Sequence, residues 1–160
     1  MHHDNNFNCF LQVMFRTGVS STSPEGQKWI GVCIPQGCEI KQICVGPTGL
    51  VWAVLWNGRG LVRLGVTRHN PMGEYWSEVA APNENERLSQ VAVGTNSVWA
   101  VTNSNRIWFR RGVRGMSAGD SEECAKGCGW VEMVGKMALV SVAANDQVSP
   151  HTRNLFIFLF

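Results

Sequence analysis

Three arginines carry the most suggestive chemistry in this sequence. Arg16, Arg63 and Arg110 stand 47 residues apart, each two positions before a glycine. A guanidinium presents a planar fork of donors that suits phosphate and carboxylate. Repeated at equivalent places, and joined by Arg111, such groups would form an anion-reading set for phosphoinositide head groups or acidic partner motifs. The structural alternative is that each arginine lies along a sheet and bonds a carbonyl or a glutamate. Trp29, Trp76 and Trp130 follow these arginines in the chain and offer a second chemistry, because an aromatic face can stack on a sugar. Their structural alternative is packing between neighbouring sheets, where large rings contribute much of the burial.

Other constellations are weaker. Cys124 and Cys128 share one loop, but zinc takes four ligands and no second Cys/His pair stands at a convincing spacing, so no metal site is expected. Cys33, Cys38 and Cys44 fall in or beside strand-like segments and read as small core residues. No Gly-x-Ser-x-Gly elbow, phosphate-cradling glycine loop or histidine placed beside a nucleophile is present. The acidic residues Glu84, Glu86, Asp120, Glu122 and Glu123 fall in loops and read as solvated. A non-enzymatic chain without a cofactor is therefore expected.

The elements that must position the arginines repeat with them. Arg16, Gly18, Val19, Pro24, Gly26 and Trp29 recur at Arg63, Gly65, Val66, Pro71, Gly73 and Trp76, every pair 47 residues apart, and Phe109-Arg110-Arg111-Gly112-Val113 opens a third copy. One constant offset over six positions marks a repeat protein. Val51-Trp52-Ala53-Val54 returns as Val98-Trp99-Ala100-Val101, so Trp52 and Trp99 join Gly65, Gly112, Pro71 and Gly73 as structural repeat positions. Leu50–Trp56 is apolar on both faces, as a strand between packed layers must be. Asn57-Gly58 after it signals a hairpin of the type I′ kind.

Strands are thus expected at 28–34, 39–45, 50–56 and 59–66, four to a unit. A unit of about 47 residues with four short strands and glycine-rich turns is the size of a β-propeller blade. The fold class is all-β, a partial, open propeller with about two complete blades and two partial ones. The divisions read as follows: a non-repeat N-terminus over 1–9, a last strand and linker over 10–27, and a blade over 28–74. A second blade spans 75–129 with an extended loop at 114–129, a truncated blade follows at 130–148, and an apolar tail at 149–160 has lost the pattern. Trp130 lies 54 residues after Trp76 rather than 47, and Ser149 stands where the repeat calls for tryptophan. Such a chain cannot close a ring alone, so the remaining blades of a parent protein, or self-association, are expected to complete it.

Composition agrees with a folded chain: 160 residues, 44% hydrophobic and 16% charged, outside the disordered range. The net charge of +2 gives no strong field, and no nucleic-acid partner is expected. No signal peptide is visible, and the longest apolar run, Leu155–Phe160, is too short to span a bilayer. The cysteines do not follow the repeat, which favours a reduced, cytoplasmic setting.

The motifs Val98-Trp99-Ala100-Val101, Ile107–Val113, Asn70-Pro71-x-Gly73-x-x-Trp76, Gly129–Gly135 and Val142–Val148 resemble those of tectonin β-propeller repeat proteins. The likeness covers about residues 11–148 and is closest to the N-terminal repeats of the large tectonin proteins of autophagy. Those proteins also carry dysferlin-type and pleckstrin-homology domains, which this sequence does not contain. The resemblance implies a scaffold segment from a protein that tethers autophagosomes to lysosomes. It would be cytoplasmic and peripheral to those membranes, with partners in the autophagy and lysosome machinery. The alternative it leaves open is a tectonin-type lectin of innate recognition, stacking glycans on Trp29, Trp76 and Trp130.

Overall fold

The computed structural model describes residues 10–115 and 122–151. The chain forms two compact units, Met1–Glu39 and Ile40–Phe160. In the first, β1 (Phe10–Arg16) and β2 (Trp29–Ile34) pair antiparallel.

The described residues of the second unit form three sheets. One joins β3 (Ile40–Val45), β4 (Val51–Leu55), β5 (Gly60–Leu64) and β6 (Tyr75–Val79) in that order. The next joins β7 (Leu88–Val93), β8 (Val98–Thr102), β9 (Arg106–Arg111) and β10 (Gly129–Lys136), with the short helix α1 (Glu122–Lys126) between the last two strands. The third pairs β11 (Leu139–Val142) with β12 (Val148–His151). Among the described residues all strand pairs are antiparallel and no sheet is closed, as in an open, partial propeller. Among the described residues no helix is long and apolar enough to cross a membrane.

The phase of the repeat differs from the sequence reading. The strand headed by tryptophan does not open a sheet; it is the outermost strand of the sheet that precedes it. Arg16 faces Trp29, Arg63 faces Trp76 and Arg110 faces Trp130 across the strand pairs. The blade boundaries expected at 28 and 75 therefore cut through sheets, and Trp130 ends the second complete sheet instead of starting the third. A period fixes the length of a unit but not where it begins. The pattern also outlasts its expected end, since β12 runs through His151; the rest of the 149–160 tail and residues 1–9 lie outside the described residues.

Local chemistry explains the strand ends. The β4–β5 turn is not type I′, because Asn57 is not in the left-handed region. Gly58 N donates to Leu55 O and Leu55 N to Arg59 O, and only Gly58 has positive φ, 82°. This is a three-residue loop, a type I turn followed by a left-handed residue. In β12, Pro150 stands where β4 and β8 carry Ala53 and Ala100. The bonds Ala143 N to Gln147 O and Ala138 N to His151 O turn the Pro150 nitrogen to the outer edge, where its missing N–H costs no bond to β11.

The core lies between sheets. Leu50, Trp52, Val54, Val62 and Leu64 of the first complete sheet pack with Leu88, Val91, Val93, Val98, Ala100 and Trp108 of the next, and Ala125 of α1 closes one end. Ala92 and Val101 pack with Val140 to continue the same layering. A polar latch crosses each seam. The carboxamide of Gln42 donates to Val91 O at 3.0 Å and accepts from Val91 N at 2.9 Å. Gln90 repeats this on Val140, with both bonds at 2.8 Å. Thr48 donates to Thr95 O at 2.7 Å, and Thr95 in turn donates to Ala144 O. Gly46 permits the approach, since a Cβ there would meet Gly94 O at 2.4 Å.

The latches yield a direct expectation. Gln42→Leu keeps the volume but strands the buried N–H and C=O of Val91, so it will destabilise the protein by about 2 kcal/mol. Urea unfolding followed by tryptophan fluorescence measures this, and a change within about 0.5 kcal/mol, typical of an unimportant surface substitution, would refute the latch.

Candidate functional site

The repeated arginines and tryptophans come together as three clamps. In each, the guanidinium lies over the facing indole, at 5.3 Å for Arg16 on Trp29, 5.3 Å for Arg63 on Trp76 and 5.1 Å for Arg110 on Trp130. The head then reaches the loop leading into the tryptophan strand. Arg63 donates from Nε to Met72 O at 2.8 Å and from Nη2 to Gly73 O at 3.3 Å. Arg110 donates to Lys126 O at 2.9 Å and Gly127 O at 3.3 Å, and Arg16 donates to Glu25 O at 2.7 Å. Gly26, Gly73 and Gly127 occupy the same left-handed corner, with φ of 66°, 67° and 66°. The corner is tight. A Cβ there would meet backbone oxygen within 2.7 Å in all three.

The third clamp accounts for the uneven spacing. Pro24-x-Gly26-x-x-Trp29 and Pro71-x-Gly73-x-x-Trp76 correspond to Ala125-x-Gly127-x-x-Trp130. The longer 114–129 connection contains α1, whose end delivers Lys126 and Gly127 to Arg110. Residues 116–121 of that connection lie outside the described residues.

Burial differs among the clamps. Arg110 is buried and Arg63 half-buried, while Trp29 of the first clamp is 60% exposed. Burial lowers the pKa of Arg63. It does the same for Arg110, where the nearby Cys128 acts in the opposite sense. Both remain cations at neutral pH, because the guanidinium starts so far above it. Arg111 points outward and is exposed.

Trp52 is fully buried; its Nε1 donates to Ala125 O at 3.2 Å, and its ring meets Trp130 edge-on with centroids 6.1 Å apart. Trp130 Nε1 donates to Ala80 O at 3.0 Å. Trp99 is half-buried against Phe109, 5.0 Å between centroids. Gly65 and Gly112 lie just after the clamp strands with φ of 71° and 75°.

Two readings of charged and sulfur residues need correction. Glu86 is not solvated: it is buried, accepts from Ser104 Oγ at 2.7 and 2.8 Å, and faces Arg106, which also bonds Glu132 at 3.0 Å. Its loop folds back on β8 and β9, which no local pattern foretold. Cys33 is not a small core thiol. It is exposed and disulfide-bonded, against the reduced setting expected from the spacing of the cysteines. Cys38 and Cys44 are half-buried thiols. Cys124 is buried and accepts from Arg114 Nη2 at 3.4 Å. With Cys128 and Lys126 it lines a cavity of about 550 Å³. Among the described residues no three metal-ligating side chains converge.

Sequence reasoning missed Asp146. It sits in the β11–β12 turn at φ 64° and takes Ser97 Oγ at 2.6 Å and Asn96 N at 3.0 Å, tying the two blades. Burial alone would raise its pKa, but the bonds from Ser97, Asn96 and Thr95 outweigh that and lower it. A depressed carboxylate pKa stabilises the fold above the unfolded-state value and loses that contribution as pH falls through the folded one. Stability will therefore decline below about pH 4, and Asp146→Asn will flatten that part of the profile. Thermal unfolding between pH 3 and 7 measures both, and parallel profiles for the two proteins would contradict the assignment.

Comparison with known proteins agrees with this arrangement. A family model described as Propeller (Hyd_WA) matches residues 12–32, 50–79 and 97–133. Each match runs into a tryptophan strand. The chain is 59% identical over 139 residues to "Tectonin beta-propeller repeat-containing protein" of Drosophila melanogaster, which covers 86% of this chain and 10% of that protein. It is 44% identical over 137 residues to "Tectonin beta-propeller repeat-containing protein 1" of Mus musculus, covering 86% of this chain and 11% of that one. The chain thus spans about a tenth of the length of these curated relatives.

Proposed function

Because this chain belongs to the tectonin β-propeller repeat family, we propose that it is a non-enzymatic scaffold segment of a larger propeller. In this reading the parent protein tethers autophagosomes to lysosomes, and the segment works in the cytoplasm at the surface of those membranes. The observation that carries the scaffold role is the commitment of the repeated arginines. Their donors bond loop carbonyls and their faces cover the tryptophans, so the repeat invests its special residues in fastening the outer strand of each blade to its own sheet. Binding then falls to the outer surface, where Arg111 is the exposed cation of the candidate set and the contact for acidic partner motifs or phosphoinositide head groups.

The test is recruitment of the purified chain to isolated autophagosomal and lysosomal membranes, with Arg111→Glu alongside. Retention of the wild type and loss with the variant supports the reading. Failure to bind either membrane overturns it. Capture instead on a glycan array, abolished by Trp76→Ala, would establish the lectin alternative.

A further inference from the structure

The glutamine latches have a directional logic that leaves one acceptor unfilled. Within each inner pair, the residue between the hydrogen-bonded partners turns its N–H and C=O away from its own sheet. The bonds Gly46 N to Leu50 O, Gly94 N to Ser97 O and Ala143 N to Gln147 O fix this alternation in all three sheets of the second unit. The residues so placed are Ile43, Val91 and Val140. Gln42 fills Val91 and Gln90 fills Val140. Val91 and Val140 are 0% exposed, whereas Ile43 is 40% exposed, with Val45 beside it at 63%. Among the described residues of the second unit no side chain bonds the outward groups of Ile43.

We propose that the open edge of β3 at Ile43 is the docking surface for a further blade of the same repeat, which inserts a glutamine carboxamide there. The inference rests on the chain being part of a larger propeller, and its argument is continuity with an interface already built twice. A peptide group wants both its donor and its acceptor satisfied when buried, and one carboxamide supplies both. The blade that docks must carry glutamine at the position of Gln42 and Gln90. A second copy of this chain does not: at that position β11 has Leu139, 53% exposed and opposite His151. The last sheet of this chain is therefore an acceptor of a latch and not a donor of one.

That asymmetry supplies the test, which involves no membrane. Leu139→Gln in the whole chain gives a second copy the missing latch, so β11 of one molecule can dock on β3 of the next. Sedimentation equilibrium is expected to show Leu139→Gln self-associating at least about tenfold more tightly than the wild type. Adding Ile43→Pro, which removes the outward N–H without breaking a β3–β4 hydrogen bond, is expected to return it to the wild-type mass. Amide exchange gives a second readout should the proline variant fold poorly. Ile43 exchanges fast in the wild type while Val91 and Val140 are protected, and Ile43 becomes protected in the Leu139→Gln assembly. The proposal is overturned if Leu139→Gln associates no more than the wild type. It is equally overturned if that association leaves Ile43 exchange fast, or if the wild type already associates through Ile43 without a glutamine.

Discussion

Trp52→Ala will cost about 3–5 kcal/mol, as large aromatic truncations in packed cores do, and this is the largest effect expected of a single substitution. Three losses combine. The ring is fully buried between sheets, its Nε1 holds Ala125 O of α1, and its edge supports Trp130. The last contact links the core to the third clamp, so the damage should spread. Loss of Trp52 loosens the floor beneath Trp130, whose own Nε1 bonds Ala80 O. Trp52→Phe, which keeps much of the volume but strands Ala125 O, should recover a large part of the stability and not all of it. Urea midpoints of the two variants decide this. A Trp52→Phe midpoint equal to that of the wild type would show that the indole hydrogen bond contributes nothing.

The second large effect belongs to Arg110. Arg110→Met retains an apolar stem over Trp130 but leaves Lys126 O and Gly127 O without their donor. Hydrogen bonds from a charged donor are worth about 1.5–3 kcal/mol each, and the cation over the ring adds about 0.5–2 kcal/mol. Removing the guanidinium also relieves its desolvation, so the net loss should be about 2–4 kcal/mol. Arg16→Met should cost less than about 1 kcal/mol, because that clamp is solvent-exposed and its interaction is screened. Arg63→Met should fall between. The ordering is the discriminating result. An anion-binding role with no structural part would leave all three variants as stable as the wild type.

The arginines illustrate how far the sequence could carry the site. Their spacing located all three, and the alternative of a carbonyl-bonded arginine was legible from chemistry alone. Which carbonyls they take was not, because Met72, Gly73, Lys126 and Gly127 enter through their backbones, and a backbone acceptor leaves no trace in residue identity. The two latch glutamines were in plain sight at equivalent strand positions. They drew no attention because glutamine in a strand reads as an ordinary exposed polar residue until its neighbour across the seam is known. Asp146 was hidden for a similar reason: an aspartate in a turn has a sufficient local explanation, and its bonds to Asn96 and Ser97 cross between blades.

By itself, the sequence determined the repeat, the strand content and the family. The repeat and the strand content are written in periodicity, as alternation along strands and glycines at corners that return after 47 residues; the family rests on the resemblance of the motifs. Tertiary structure alone decided the phase of the blades, the place of Trp130 after a longer connection, and the burial of Glu86. A repeat is unchanged when its starting point slides, so no sequence period can say that the tryptophan strand closes the preceding sheet. That choice is made by the Arg–Trp clamp and the hydrogen-bond ladder between β5 and β6, which exist only once the strands are side by side.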